Sequence, residues 1–289
     1  MDMLKIVMLA FRRYRFHLVR KLHLLWGSLI ESRMKLSQRS IQFQCNICGH
    51  YNEKRELVAF DRELASCASC SSNLRYRAII DILSNYLYGK SVALVEFPMD
   101  KSIIGLGVSD WKGYAEILGT KFSYINTFFH TEPRLDITDI PSSEHGKYDF
   151  VIVSDVLEHI DTPVSKGFCN LFNLLKPKGI CIITVPFMNF EMTLEHFPDL
   201  NSYHISQHDG RRVLINATLD GRVQTFTELE FHGGCGATLE KRIFTRRSLQ
   251  KELTRAGFDA VDFCRRPNLG FGIKWIVNWS LPISAIKKS

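Results

Sequence analysis

The chain has 289 residues, of which 45% are hydrophobic and 23% charged, a balance that suits an ordinary globular protein and excludes a disordered chain. Its formal charge of +7 is uneven: residues 1–40 carry nine Lys and Arg against Asp2 and Glu31, so the whole excess sits there and the remainder is neutral. A neutral remainder argues against nucleic acid as a partner of the main domain, and no run of about 18 apolar residues offers a spanning helix.

Residues 3–30 read as one helix, because Leu4, Val7, Met8, Phe11, Leu18, Leu22, Leu25 and Leu29 recur at steps of three and four. Lys5, Arg12, Arg13 and Arg20 fall away from that stripe. Such a basic amphipathic arm packs on a protein surface, or makes peripheral contact with an anionic membrane or another acidic partner. Its apolar stretches are broken by arginines and no small-residue cleavage site follows, so no secretory signal is expected. Eight cysteines without such a signal suit a reducing, cytoplasmic setting, with the arm allowing a position at the membrane periphery.

Four of those cysteines form Cys45-Asn-Ile-Cys48 and Cys67-Ala-Ser-Cys70, with eighteen residues between the pairs. Two CxxC knuckles at this spacing bring four sulfurs to one ion, so Cys45, Cys48, Cys67 and Cys70 are expected to hold a structural zinc in a ribbon. A closed tetrathiolate leaves no open position for Lewis-acid chemistry. The ribbon itself is not basic, since Lys54, Arg55 and Arg62 stand against Glu53, Glu56, Asp61 and Glu63. Glu56–Phe60 reads as a strand-like piece. Ser71, Ser72 and Asn73 offer caps for a helix through about Tyr88.

From residue 91 onward strands and helices alternate. Strands are expected at Ser91–Phe97, Ile103–Val108, Phe122–Phe129, Tyr148–Ser154, Ile180–Val185, Leu239–Phe244 and Phe258–Phe263. Helices are expected at Trp111–Leu118, about Pro163–Leu175 and Thr245–Ala256, and a turn at Lys176–Gly179. Apolar strands alternating with helices imply a mostly parallel sheet covered on both faces. Residues 188–236 interrupt the pattern and read as a lid or substrate-binding insertion.

The stretch Tyr148-Asp149-Phe150-Val151-Ile152-Val153-Ser154-Asp155-Val156-Leu157-Glu158-His159-Ile160, followed by Leu174-Leu175-Lys176-Pro177-Lys178-Gly179 and the strand to Val185, resembles class I S-adenosylmethionine-dependent methyltransferases, of the group with an N-terminal four-cysteine zinc ribbon. The resemblance covers roughly residues 90–265. It implies an α/β, Rossmann-like, doubly wound sheet, with residues 1–40 as the arm, 41–75 as the ribbon and 76–289 as the methyltransferase domain. It places Val95–Asp100 at the loop after the first strand, Ile104–Asp110 at the second strand with an acidic end for the ribose, and Asp136-Ile137-Thr138 at the turn that reads adenine. Glu96, Asp110, Asp136, Ile137, Ser154 and Asp155 are thus the expected contacts of S-adenosylmethionine.

Independently of the resemblance, ligands of open parallel sheets bind beyond the carboxyl ends of the strands, where these carboxylates are expected to cluster. Methyl transfer needs alignment, and a hydroxyl acceptor also gains from a base. His159 is the first candidate, with Glu158 beside it; His196, His204, His208 and His232 lie in or near the insertion. His232-Gly233-Gly234-Cys235-Gly236 is flexible enough to close over a substrate. The leading expectation is methylation of a small molecule or of a sugar or glycan hydroxyl. A second, of a different class, is a catalytically retired methyltransferase fold whose ribbon and arm serve as a binding scaffold.

Overall fold

The computed structural model describes residues 39–189, 191–208, 210–232 and 238–288, apart from the side chains of His208 and His232. The expected arm at 3–30 and the glycines at 233–236 lie outside these residues.

The ribbon opens with an antiparallel pair, β1 (Ser40–Gln44) and β2 (Tyr51–Arg55), which turns at the first cysteine pair. Glu56–Ala59, expected as strand, is instead a single helical turn, α1. Helix α2 (Leu74–Tyr88) follows the second cysteine pair. Asn73 caps it by accepting a hydrogen bond from the Tyr76 amide (3.0 Å), and Gly89 ends it at φ +68°.

Four parallel strands form one side of a six-stranded sheet: β3 (Ile104–Val108), β4 (Ser123–Thr127), β5 (Tyr148–Ser154) and β6 (Leu175–Thr184). The expected turn at Lys176–Gly179 is an irregular start to β6, where the register with β5 shifts. Beyond β6, β16 (Ile283–Ile286) runs antiparallel between it and β15 (Ala260–Phe263). The full order is β15-β16-β6-β5-β3-β4.

Alternation along the strands builds both faces of the core. Phe150, Ile152, Ile180 and Ile182 point to one face, where Ile79, Ile80 and Leu83 of α2 and Tyr114 and Leu118 of α3 (Lys112–Lys121) cover them. Val151, Val153, Cys181 and Ile183 point to the other, under Phe168 and Leu171 of α4 (Ser165–Leu174) and Leu249 and Leu253 of α5 (Arg246–Ala256). This is the expected doubly wound α/β fold.

Ser91–Phe97, expected as the first strand, forms a 3₁₀ turn at Leu94–Glu96. Its apolar residues serve packing of another kind: Leu94 and Phe97 are buried, and Phe97 meets Phe122 and Tyr88. The strand that lies between β4 and β5 is β3, so β3 takes the first position in a doubly wound order and β4 the second. The expected loop assignments therefore shift by one strand.

The insertion has structure of its own. After the short β7 (Phe187–Met188) and β8 (Leu194–Glu195), strands β9 (Ser202–His208), β10 (Arg211–Ala217) and β11 (Val223–Phe226) form an antiparallel meander over Phe197, Leu214, Phe226 and Leu239. A pair, β12 (Phe231–His232) and β13 (Thr238–Leu239), leads to β14 (Arg242–Thr245). β14 pairs with both β7 and β8, so entry and exit of the insertion are tied together.

Phe150 is fully buried, packs edge-on to Phe122 and stacks beside Tyr124, and lies where a side chain at Gly105 would fall. Phe150→Ala is expected to lower the unfolding free energy by about 3–5 kcal/mol, read from urea titration; a loss under 1 kcal/mol would show that this face of the sheet repacks.

Candidate active site

In an open α/β sheet the crevice for a ligand opens where the strand order reverses, here between the carboxyl ends of β3 and β5. The loop after β3 is Ser109-Asp110-Trp111. Ser109 holds a left-handed φ of +59°, which turns the chain sharply without a glycine at that position. Asp110 is 4% exposed. Its Oδ2 accepts a hydrogen bond from the Tyr124 hydroxyl (2.6 Å), and its backbone exchanges two with the Asn126 side chain (3.0 and 2.9 Å). Gly107 makes room for this arrangement, since a Cβ there would fall on the Tyr124 hydroxyl and Asp110 Oδ2. Burial pushes the Asp110 carboxyl up to about 8, with the Tyr124 hydrogen bond opposing. Tyr76 stacks on Trp111 at 4.6 Å and meets Tyr114 edge-on, forming an aromatic wall beside Asp110.

At the end of β5, Asp155 also adopts a left-handed φ, +53°. Two arginines converge on it. Arg62, from the ribbon segment between the cysteine pairs, forks onto both carboxylate oxygens (2.6 and 3.1 Å). Arg75, in the first turn of α2, reaches Asp155 Oδ2 at 3.2 Å and donates to Ser154 Oγ at 2.5 Å. Glu63 pairs with Arg75 at 2.8 Å and with Arg62 as well. Burial works to raise the Asp155 carboxyl, but the two guanidinium groups overcome it and hold it at about 2.

Glu158 lies one turn beyond, 1% exposed, and its Oε2 has no hydrogen-bond partner. Burial first, and the nearby Asp155 charge second, push this carboxyl well above the usual range. His159 Nδ1 lies 2.9 Å from the Leu239 carbonyl. A carbonyl only accepts, so Nδ1 carries the proton and Nε2, 3.8 Å from Glu158 Oε1, is the acceptor side of the neutral ring. His196 Nε2 pairs with Glu240 at 2.9 Å nearby. A cavity of about 450 Å³, lined by Asp161, Thr162, Phe197, Asp199, Asn201 and Lys241 among others, opens beside this turn and below the meander.

Of the other expected contacts, Glu96 is the one that lies away from these groups. Glu96 is exposed on the 3₁₀ turn, beside Val95, whose carbonyl accepts from Lys121 Nζ at the last residue of α3 (2.9 Å). That places it near the amino end of β4, away from the crevice. Asp136 closes a turn by accepting from the Thr138 amide and hydroxyl (2.8 and 2.7 Å). Ile137 is buried in the core beneath α4. Asp110 follows the first-position strand, not the second; β4 ends at Thr127, and the next carboxylate is Glu132. Arg62, Arg75 and the aromatic wall carried no sequence signal beyond two arginines near a helix cap.

In the ribbon the four thiols gather, with all Sγ atoms within 4.8 Å of one another and Cys45–Cys70 and Cys48–Cys67 at 3.7 and 3.6 Å. A tetrahedral zinc with bonds of about 2.3 Å needs sulfur–sulfur edges of about 3.8 Å, so the donor set fits that ion. Arg77 lies beside it with no exposed surface. It donates to Ser66 Oγ (2.7 Å) and to the carbonyls of Ala59 (2.9 Å), Ser72 (3.3 Å) and Gly272 (3.1 Å), all neutral. Burial lowers it to about 10, and the neighbouring cysteines oppose that as negative charges. A buried guanidinium without a carboxylate partner suits the net negative charge of a tetrathiolate metal centre.

Residues 89–262 match a family described as Methyltransferase domain. The chain belongs to this family: it is an enzyme, a methyltransferase that uses S-adenosylmethionine. No curated protein matches it in sequence. Similar solved structures include an S-adenosylmethionine-dependent methyltransferase from Clostridium acetobutylicum ATCC 824 (13% identity, TM-score 0.43, covering 75% of this chain and 93% of that one). Others are the sugar N-methyltransferase KedS8 from Streptoalloteichus sp ATCC 53650 (11%, TM-score 0.38, 65% and 81%) and the 1,6-didemethyltoxoflavin-N1-methyltransferase of Burkholderia thailandensis (16%, TM-score 0.36, 74% and 90%).

The donor fits the crevice. Among the described residues, the buried Arg62 Nε, Arg75 Nε and Glu158 Oε2 lack hydrogen-bond partners and lie together at this place, beside the Asp110 carboxyl that Tyr114 and Tyr124 face. Buried polar groups are normally paired, so their concentration here marks a site for a polar ligand.

The Asp110 carboxyl titrates near 8 in the folded chain against 3.8 as a free side chain. Between those values the folded state keeps a proton that the unfolded state has lost, so this group's contribution to stability declines as pH rises and levels off above 8. Asp110→Asn removes the decline. The variant should melt about 10 °C or more above the parent at pH 8 but near the parent at pH 4, a flattening visible in calorimetric scans; parallel pH profiles would contradict the assignment.

Proposed function

We propose that the chain transfers the methyl group of S-adenosylmethionine to a hydroxyl of a small polyhydroxylated molecule, a sugar or glycan. The donor would occupy the crevice between the ends of β3 and β5, against Asp110, Ser154 and Asp155, with the Asp136 turn at its rim. The observation that carries this is the ring of unpartnered buried groups at the switch point. When bound there, the donor supplies an electrophilic methyl on a sulfonium.

The acceptor would enter from the cavity beside Asp161. Its size is within the range of small-ligand pockets, and its lining of carboxylates, an amide and a hydroxyl around Phe197 offers hydrogen bonds to several hydroxyls and one apolar face. His159 Nε2, with its tautomer fixed by the Leu239 carbonyl, accepts the acceptor's proton. Glu158, whose buried carboxyl is pushed well above the usual carboxylate range, lies 3.8 Å from that nitrogen. The remaining acceleration comes from aligning donor and acceptor in a crevice closed to water. Cys45, Cys48, Cys67 and Cys70 would hold one structural zinc that fixes the ribbon against α2.

Two measurements test this reading. The zinc-loaded chain, titrated with S-adenosylmethionine in a calorimeter and then incubated with methyl-labelled donor and a panel of sugars and nucleotide sugars, should bind at micromolar strength and label at least one of them. His159→Ala should lower kcat about 10²–10⁴-fold with donor affinity kept. Labelling confined to amine or carbon acceptors would overturn the hydroxyl assignment, and donor affinity that falls together with kcat would remove His159 from the role of base. Elemental analysis should find one zinc per chain, absent in Cys67→Ser, and chelation should lower the melting temperature; a melting curve unchanged by chelation would sink the structural metal.

A further inference from the structure

The crevice contains a balanced quartet of charges. Arg62 and Arg75 are cations, Asp155 and Glu63 anions, and each arginine contacts both acids. The arginines are 19% and 9% exposed at the side chain and Asp155 22%, whereas Glu63 is 51% exposed. Both arginines keep a buried Nε–H with no acceptor. Two buried guanidinium groups with a spare donor each, facing one half-exposed carboxylate, form a receptor poised to take up another carboxylate. Asp155 and Glu63 offer the matching acceptors for an ammonium.

A group that carries one charge of each sign belongs to the methyl donor itself, at its amino-acid end; its adenosine end carries no charge. We infer that Arg62 and Arg75 bind the α-carboxylate of the donor and that Asp155 and Glu63 bind its α-ammonium, so the cysteine ribbon supplies part of the cofactor site. Arg62 reaches the crevice because the ribbon segment is held in shape. Asp61 Oδ1 accepts from the Glu63 and Leu64 amides (2.7 and 2.8 Å), and the two cysteine pairs close the segment at its ends. Yielding the contact of Glu63 with Arg62 costs little, because a half-exposed pair contributes little, while a charge-assisted bond from a buried guanidinium to a carboxylate is strong. The inference rests on the reading of the crevice as the donor site.

The test compares two probes on the full, zinc-loaded chain. S-adenosylhomocysteine has the amino-acid end; 5′-methylthioadenosine has the same nucleoside thioether without it. Arg62→Ala should weaken S-adenosylhomocysteine by about 10–100-fold and change 5′-methylthioadenosine by less than about threefold, with Arg62→Lys between. On the unmutated chain, decarboxylated S-adenosylmethionine should bind about 10–100-fold more weakly than the intact donor, which needs no variant to fold. Equal losses of both probes in Arg62→Ala, or equal affinity for intact and decarboxylated donor, would overturn the inference while leaving the donor site in place. Failure of the unmutated chain to bind either thioether would overturn the donor site itself.

Discussion

The buried guanidinium of Arg77 is the constraint from which the arrangement of the molecule follows. It bonds at once to the ribbon, at Ala59, Ser66 and Ser72, and to Gly272 near the C-terminal strand, from a position inside helix α2. Its plane lies over Phe43 of β1 at 4.6 Å. One cation thereby pins three separate stretches of chain, and its cost is offset by the hydrogen bonds of its two terminal nitrogens and by the sulfurs beside it. Because α2 packs its apolar face on β5 and β6, a ribbon fixed to α2 is fixed to the sheet.

That anchoring explains how a segment distant in sequence reaches the switch point. Arg62 is 93 residues from Asp155, yet the bidentate pair is among the shortest in the crevice. Charge in the site is partitioned by burial and neighbours. Asp155, met by two arginines, stays ionised, while burial keeps the Asp110 carboxyl protonated near neutral pH and pushes the Glu158 carboxyl upward as well. Three carboxyl groups within one crevice thus differ in the form their surroundings favour: two arginines favour the charged form of one, and burial disfavours it in the other two.

Much of this plan was legible in the chain. The cysteine pairs declare themselves by spacing, and Tyr148–Ser154 and Ile180–Val185 by continuous burial on both faces. Other parts were hidden for physical reasons. Ser91–Phe97 is apolar because it packs under Phe122 and Tyr88, and an apolar run does not reveal whether a helix end or a sheet covers it. Ile283–Ile286 is only four residues long and wedges in antiparallel beside β6, where nothing local marks it. The meander strands, such as Ser202–His208, carry polar residues on both faces and lack the alternation that reveals a half-buried strand. Arg62 and Arg75 looked like surface charges, since only the folded chain brings them to Asp155.

The pairing of β14 with both β7 and β8 has an evolutionary consequence. A detour of more than forty residues leaves the parallel sheet and returns to it through a single three-stranded clasp, so whatever lies between the ends of that clasp can lengthen, shrink or be replaced without disturbing the strands that carry Asp110 and Asp155. Selection can therefore exchange one cassette while the parallel sheet stays constant. A chimaeric enzyme joined at Phe187–Met188 and Arg242–Thr245 would be the natural unit for that exchange.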